Sequence, residues 1–287
     1  MIPESGAVLG IDVGWSASRR SAGGCLLEWG ARQARFVAEH FRGVEPDRTA
    51  AVARLAGGKA LAAAAFDGPF RRQLDEIGRY RAAERMLTVS FAPLIGKPGQ
   101  SNAPVGRMLN RQTNQFVAIV NSLCRVEPAG HQVAVADRAL VEAFPGSFMG
   151  VMIAEPRSIS AQRGDRSDVV FEHLAGAGRF EELLDHCCPG RILATPPAAL
   201  RNHDQRAAFV CALTALCVAA NDYMAVGDDD GWIILPPRSL VQPWALELLD
   251  ASASVGSTDP MPKRHLSAEP AGNRQEDEAS PGQQHLV

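Results

Sequence analysis

Ala7-Val8-Leu9-Gly10-Ile11-Asp12-Val13-Gly14 is a short apolar run closed by an aspartate between glycines. It is too short for a helix and reads as a β-strand whose last acidic side chain projects from the C-terminal end. Ala22 to Trp29 and Arg32 to Phe41 read as two more strands, joined by short polar turns into an antiparallel meander. Asp47 to Leu55 has helical spacing of Ala51, Val52 and Leu55. Ala60 to Phe66 then reads as a central parallel strand buried on both faces, stopped at Asp67-Gly68-Pro69.

Farther on, Arg79 to Leu87 and Asn110 to Cys124 read as helices, the latter with Phe116, Ile119, Val120 and Leu123 on one face. Ala92 to Pro104, rich in Pro, Gly, Ser and Asn, reads as an ordered loop. Val133 to Ala136 and Leu140 to Phe144 look like strands, and Phe148 to Ile153 like a helical turn. Glu155 to Asp168 reads as a polar loop, and Ser167 or Asp168 is placed to cap a helix to Leu174. Phe180 to His186 is a further helix. Asp204 to Tyr223 is apolar nearly all round, which predicts a deeply packed helix. Asp228 to Gly231 is a turn, and Trp232 to Leu235 a last strand before Pro236-Pro237. The order predicts an α/β fold, a mixed β-sheet flanked by helices on both faces in the manner of ribonuclease H. One domain is expected over residues 1–250. From about Ser252 large apolar residues nearly vanish, and 251–287 reads as a disordered tail.

The chain has 287 residues, 46% of them hydrophobic, and a formal net charge of −3. That excludes a basic nucleic-acid coat protein, so contact with nucleic acid requires a local patch. The residues Met1 to Ser5 lack the pattern of a signal peptide, the six cysteines are scattered, and no membrane partner is expected. A cytoplasmic setting follows as the expectation. His186-Cys187-Cys188 and His203 match no standard zinc spacing.

Four acidic residues carry the chemistry: Asp12, Asp67, Glu142 and Asp204. The first three end or interrupt strands and the fourth opens a helix. If they converge, their charges demand a cation, and hard carboxylate oxygens suit Mg²⁺ or Mn²⁺. Each has a plainer reading. Asp12 also fits an Asx-turn, Asp67 a Gly-Pro turn, Glu142 a solvent-facing strand position, and Asp204 a helix N-cap. Arginines follow two of the acids. Arg81 belongs to a stretch after Asp67, and Arg157, Arg163 and Arg166 follow Glu142. They are candidates for gripping phosphate, with His203 beside Asp204.

The motifs Gly-Ile-Asp-Val-Gly, Ala-Phe-Asp-Gly-Pro, Val-Glu-Ala-Phe-Pro-Gly-Ser-Phe and His-Asp-Gln-Arg-Ala-Ala-Phe-Val-Cys-Ala-Leu-Thr-Ala together resemble a ribonuclease H-like nuclease family. That family is catalogued as domain of unknown function 429, and the resemblance runs from about Val8 to Pro237. It implies a two-metal hydrolase acting on nucleic acid, with Asp12, Asp67, Glu142 and Asp204 at the acidic positions. The family's last motif often carries a second aspartate where this chain has Ala207, so one acidic ligand is absent. Two other functions remain open at the level of sequence. One is a non-catalytic nucleic-acid or nucleotide-binding module, which the substitution at Ala207 favours. The other is an ATP-using enzyme of the actin-like or sugar-kinase type, which shares Gly-Ile-Asp-Val-Gly but needs a second glycine-rich phosphate loop.

Overall fold

The computed structural model describes residues 2–91, 94–96, 98–129, 133–160 and 165–255. Three strands open the chain: β1 (Gly6–Asp12), β2 (Ala22–Trp29) and β3 (Gln33–Phe41). Helix α1 (Asp47–Ala56) precedes β4 (Ala60–Leu61) and β5 (Ala63–Asp67). Then come α2 (Ala82–Phe91), α3 (Pro104–Leu123), β6 (Arg125–Val126), β7 (Leu140–Ala143) and α4 (Pro145–Gly150). They are followed by α5 (Pro156–Ser160), α6 (Arg166–Gly176), α7 (Arg179–Cys187) and β8 (Ile192–Leu193). The last elements are α8 (His203–Ala219), β9 (Met224–Asp228), β10 (Gly231–Leu235) and α9 (Pro243–Val255).

Eight strands form one mixed sheet in the order β8-β3-β2-β1-β5-β7-β10-β9. The first three strands are antiparallel neighbours, as the meander reading expects, and β1, β5, β7 and β10 run parallel. The expected strand Ala60 to Phe66 is interrupted at Ala62, and its first two residues pair with β6 in a separate two-stranded sheet.

Helices cover both faces, which adjacent glycines of β2 make plain. A methyl on Gly23 would overlap the Asp204 carbonyl on α8, whereas one on Gly24 would press on Leu55 of α1. Helix α8 is buried along most of its length because it lies between the sheet and an outer layer of α4, α6 and α7. Phe209 of α8 meets Phe36 of β3 on one side and Phe171 and Phe180 of the outer helices on the other. Packing from both sides explains why the helix is apolar all round. Among the described residues no helix is long and apolar enough to cross a membrane.

Several expectations are corrected. Residues Val133 to Ala136 form a turn, not a strand, because the Ala136 amide folds back onto the Leu140 carbonyl. The loop expected from Glu155 to Asp168 contains α5 and the start of α6. The cap of α6 is Asp165, which accepts from the Ser167 amide. Asn202, not Asp204, caps α8 and accepts from the Asp204 and Gln205 amides. Residues 251–255, expected in the tail, complete α9, while 256–287 lie outside the described residues. The loop expected from Ala92 to Pro104 is irregular where described as far as Ala103, and Pro104 opens α3.

Candidate functional site

A single row of paired residues crosses five strands: His40 opposite Gly23, Gly23 opposite Asp12, Asp12 opposite Asp67, and Asp67 opposite Ala143. Directly opposed residues send their side chains to the same face of a sheet. Here that face carries α8, since the space above Gly23 is filled by Asp204. Gly10, two residues before Asp12, lets the helix in further, as a methyl there would overlap the Ala208 carbonyl and the Ala212 amide. Two glycines thus draw the first turn of α8 onto the sheet and bring Asp204 over the ends of β1 and β5.

The electrostatics follow from this convergence. Burial first, then the Asp67 and Asp204 carboxylates, push the Asp12 carboxyl well above the usual carboxylate range. Burial and then Glu142 raise Asp67 to about 7, while His203 acts in the opposite direction. The row contains no lysine or arginine to offset them. On the helix behind them the Cys211 thiol is raised by burial, then by Asp67 and Asp12. It stays protonated and takes no part as a nucleophile.

At the edge of the row His40 Nε2 lies 2.8 Å from Asp204 Oδ2, close but not aligned as a hydrogen bond. His203, exposed at the start of α8, points its Nδ1 to Asp168 Oδ1 at 3.2 Å. Asp165, Asp168 and His203 form the one trio of Asp, Glu, His or Cys donors within 4.8 Å of one another among the described residues. This outer trio has the geometry to hold a cation, although Arg206 Nη1 already lies 3.1 Å from Asp168 Oδ1. Asp12, Asp67 and Asp204 are close enough to repel but do not close to that spacing.

Glu142 does not join the row. Its row partner is Phe66, one residue before Asp67, so it belongs to the opposite parity of the sheet. There Arg81 holds it with two parallel bonds of 2.6 Å, Nη1 to Oε2 and Nη2 to Oε1. Arg81 Nε donates to Glu84 at 2.8 Å, and Glu84 also accepts from the Ser101 amide and hydroxyl. Burial and the neighbouring Glu84 raise the Glu142 carboxyl despite Arg81. Arg81 is 1% exposed and does not rim the cleft. Its role in this position is to neutralise two buried glutamates. Arg157 and Arg166 are exposed on α5 and at the start of α6, and Arg163 lies outside the described residues.

The loop after Asp67 is fixed from α3. Asn110 donates to the Pro69 carbonyl at 2.7 Å and accepts from the Ile77 amide at 3.1 Å. Beside this loop Asp67, Arg81, Glu84 and Glu142 border a largely apolar cavity of about 280 Å³ whose wall includes Leu109 and Phe144. Sequence reading misses His40, Gly23 and Asn110, and only the pairing register or the tertiary contact reveals each of them.

No family model, no curated protein and no solved structure matches this chain.

Proposed function

We propose that this chain is a metal-dependent phosphodiester hydrolase of ribonuclease H-like architecture, working on nucleic acid in the cytoplasm. The observation that carries the reading is the in-register pair Asp12 and Asp67 at the C-terminal ends of adjacent parallel strands, where open α/β sheets bind ligands. Two carboxylates raised by burial first and then by neighbouring acids fit a divalent cation, and their hard oxygens suit Mg²⁺ or Mn²⁺. When bound, such a cation supplies Lewis-acid polarisation of phosphate and an activated water.

Asp12 and Asp67 would be its ligands. Asp204 stands over them as a third donor, with His40 Nε2 2.8 Å from its Oδ2. His203, at the exposed lip, is available to meet a phosphate oxygen. Helix α8 closes the site from behind and excludes water from the strand ends, which strengthens every charge interaction at the carboxylates. Glu142 serves the site through the fold, as the partner of Arg81, and not as a ligand.

Calorimetric titration of Mg²⁺ and Mn²⁺ into the wild type and Asp12→Asn, with cleavage assays on single- and double-stranded DNA and RNA, tests the reading. Binding and cleavage that both vanish in the variant are expected. Full cleavage by Asp12→Asn sinks the proposal. A second reading, a nucleotide-binding module without catalysis, draws on the engagement of Asp204 by His40 and of Glu142 by Arg81. It requires tight nucleic-acid binding that is indifferent to Mg²⁺ and to Asp12→Asn.

A further inference from the structure

The loop leaving β1 and the chain leaving β3 are pressed together at the end of the sheet that carries Asp12. A methyl on Gly43 would overlap the Gly14 carbonyl, and one on Gly14 would overlap the Ser21 carbonyl. This contact builds an open cavity of about 450 Å³ walled by Ser18, Arg20, His40, Arg42, Asp47 and Arg54, among others. Its wall holds three guanidinium groups against one carboxylate, in a chain whose overall charge is −3.

The guanidinium groups are available. Among the described residues Arg20 is exposed and makes no ion pair. Arg42 Nε donates to Asp47 Oδ2 at 2.5 Å, and Arg54 Nη2 to Glu39 Oε2 at 2.6 Å. Both are surface pairs of the kind that contribute little and yield readily to a better anion. A planar guanidinium matches phosphate oxygens in pairs, and the Ser18 hydroxyl adds a neutral donor. The pocket lies at the same end of the sheet as the carboxylate row, with its α1 wall on the face opposite α8.

We propose that this pocket is a phosphate subsite that grips the backbone of a nucleic-acid strand whose neighbouring phosphodiester lies over Asp12 and Asp67. The proposal deepens the hydrolase reading and rests on it for the nature of the strand. His40 is two strand spacings from Asp12, roughly 10 Å, which a strand covers within about three stacked nucleotides. Trp15, 37% exposed on the intervening loop, offers a face on which a base can stack.

The test is fluorescence anisotropy of a labelled short single strand, DNA and RNA separately, in EDTA over a range of salt. Arg20→Ser/Arg54→Ser is compared with the wild type and with Asp12→Asn. The double variant is expected to bind about tenfold more weakly, with the slope of log affinity against log salt reduced by about 0.7 per arginine. Its Mg²⁺ titration and melting temperature are expected to be unchanged. Equal affinity and equal salt slope in the double variant overturn the proposal. So does displacement of the strand from both proteins at the same concentration of inorganic phosphate, which would place the anion site elsewhere. Failure of the hydrolase reading is separate: the wild type then neither binds Mg²⁺ nor cleaves, whereas the arginine effect is read in EDTA.

Discussion

Asp12 and Asp67 face each other across adjacent parallel strands, one strand spacing apart, with no lysine or arginine in their row. Two carboxylates so placed cannot both ionise without cost, so the pair takes up a proton or a cation. Much of the behaviour expected of this protein follows from that relationship.

Stability without metal should fall as pH rises. Asp67 holds its proton to about 7 in the folded state, against 3.8 for an ordinary aspartate. A raised carboxyl favours the folded state below pH 4, and this advantage is lost progressively between pH 4 and 7. Asp67→Asn should therefore match the wild type near pH 4 and exceed it by about 1–3 kcal/mol at pH 8 in EDTA. Urea melts at both pH values check this. A difference of the same size at both would show that ionisation of the buried Asp67 carboxyl is not the cause.

Metal affinity should rank the acids. Asp12→Asn is expected to abolish Mg²⁺ binding, and Asp204→Asn to weaken it about tenfold, because Asp204 reaches the pair from the helix and does not share their strand register. Glu142→Gln should bind nearly as the wild type does. Calorimetry on the three variants decides the order. A Glu142→Gln variant that loses metal binding while keeping its fold would return that residue to the site.

Arg81 neutralises two buried glutamates, so its removal should be felt in stability. Arg81→Met leaves Glu84 and Glu142 uncompensated and is expected to cost about 3–5 kcal/mol. Arg81→Met/Glu142→Leu should recover part of the loss. Chemical denaturation of both variants gives the answer, and a double variant no better than the single would argue against charge as the reason.

The seat of α8 can be disturbed without touching a polar group. Gly23→Ala places a methyl against the Asp204 carbonyl, where backbone on both sides must give. A loss of about 1–3 kcal/mol is expected, together with weaker Mg²⁺ binding. Gly30→Ala, where the added methyl meets nothing, is the control.

The sheet was legible where strands are short apolar runs with hard stops. Asp12 and Asp67 stood out because glycine or Gly-Pro ends each run. Register was not legible. Whether Glu142 or Ala143 faces Asp67 turns on a shift of one residue, and that is set by pairing with a strand far away in the chain. His40 looked like any polar residue on a half-exposed strand, since its meeting with Asp204 depends on two glycines of other strands. Strand β9 went unread because Met224 to Asp228 follows an apolar helix directly, with no composition change to mark the boundary. Residues Pro243 to Leu249 carried helical spacing and an N-terminal proline that the reading passed over.

The glycine-seated contact between β1, β2 and α8 also has a bearing on biosynthesis. The strands that carry Asp12 and Asp67 leave the ribosome some 130 to 190 residues before the helix that closes over them. Until that helix docks, the two aspartates lie at an open, hydrated edge where their charges are screened and neither needs a cation. On the hydrolase reading, a nascent chain that has not yet made α8 lacks the enclosed carboxylate site, and the capacity proposed for it arrives only once that helix has docked.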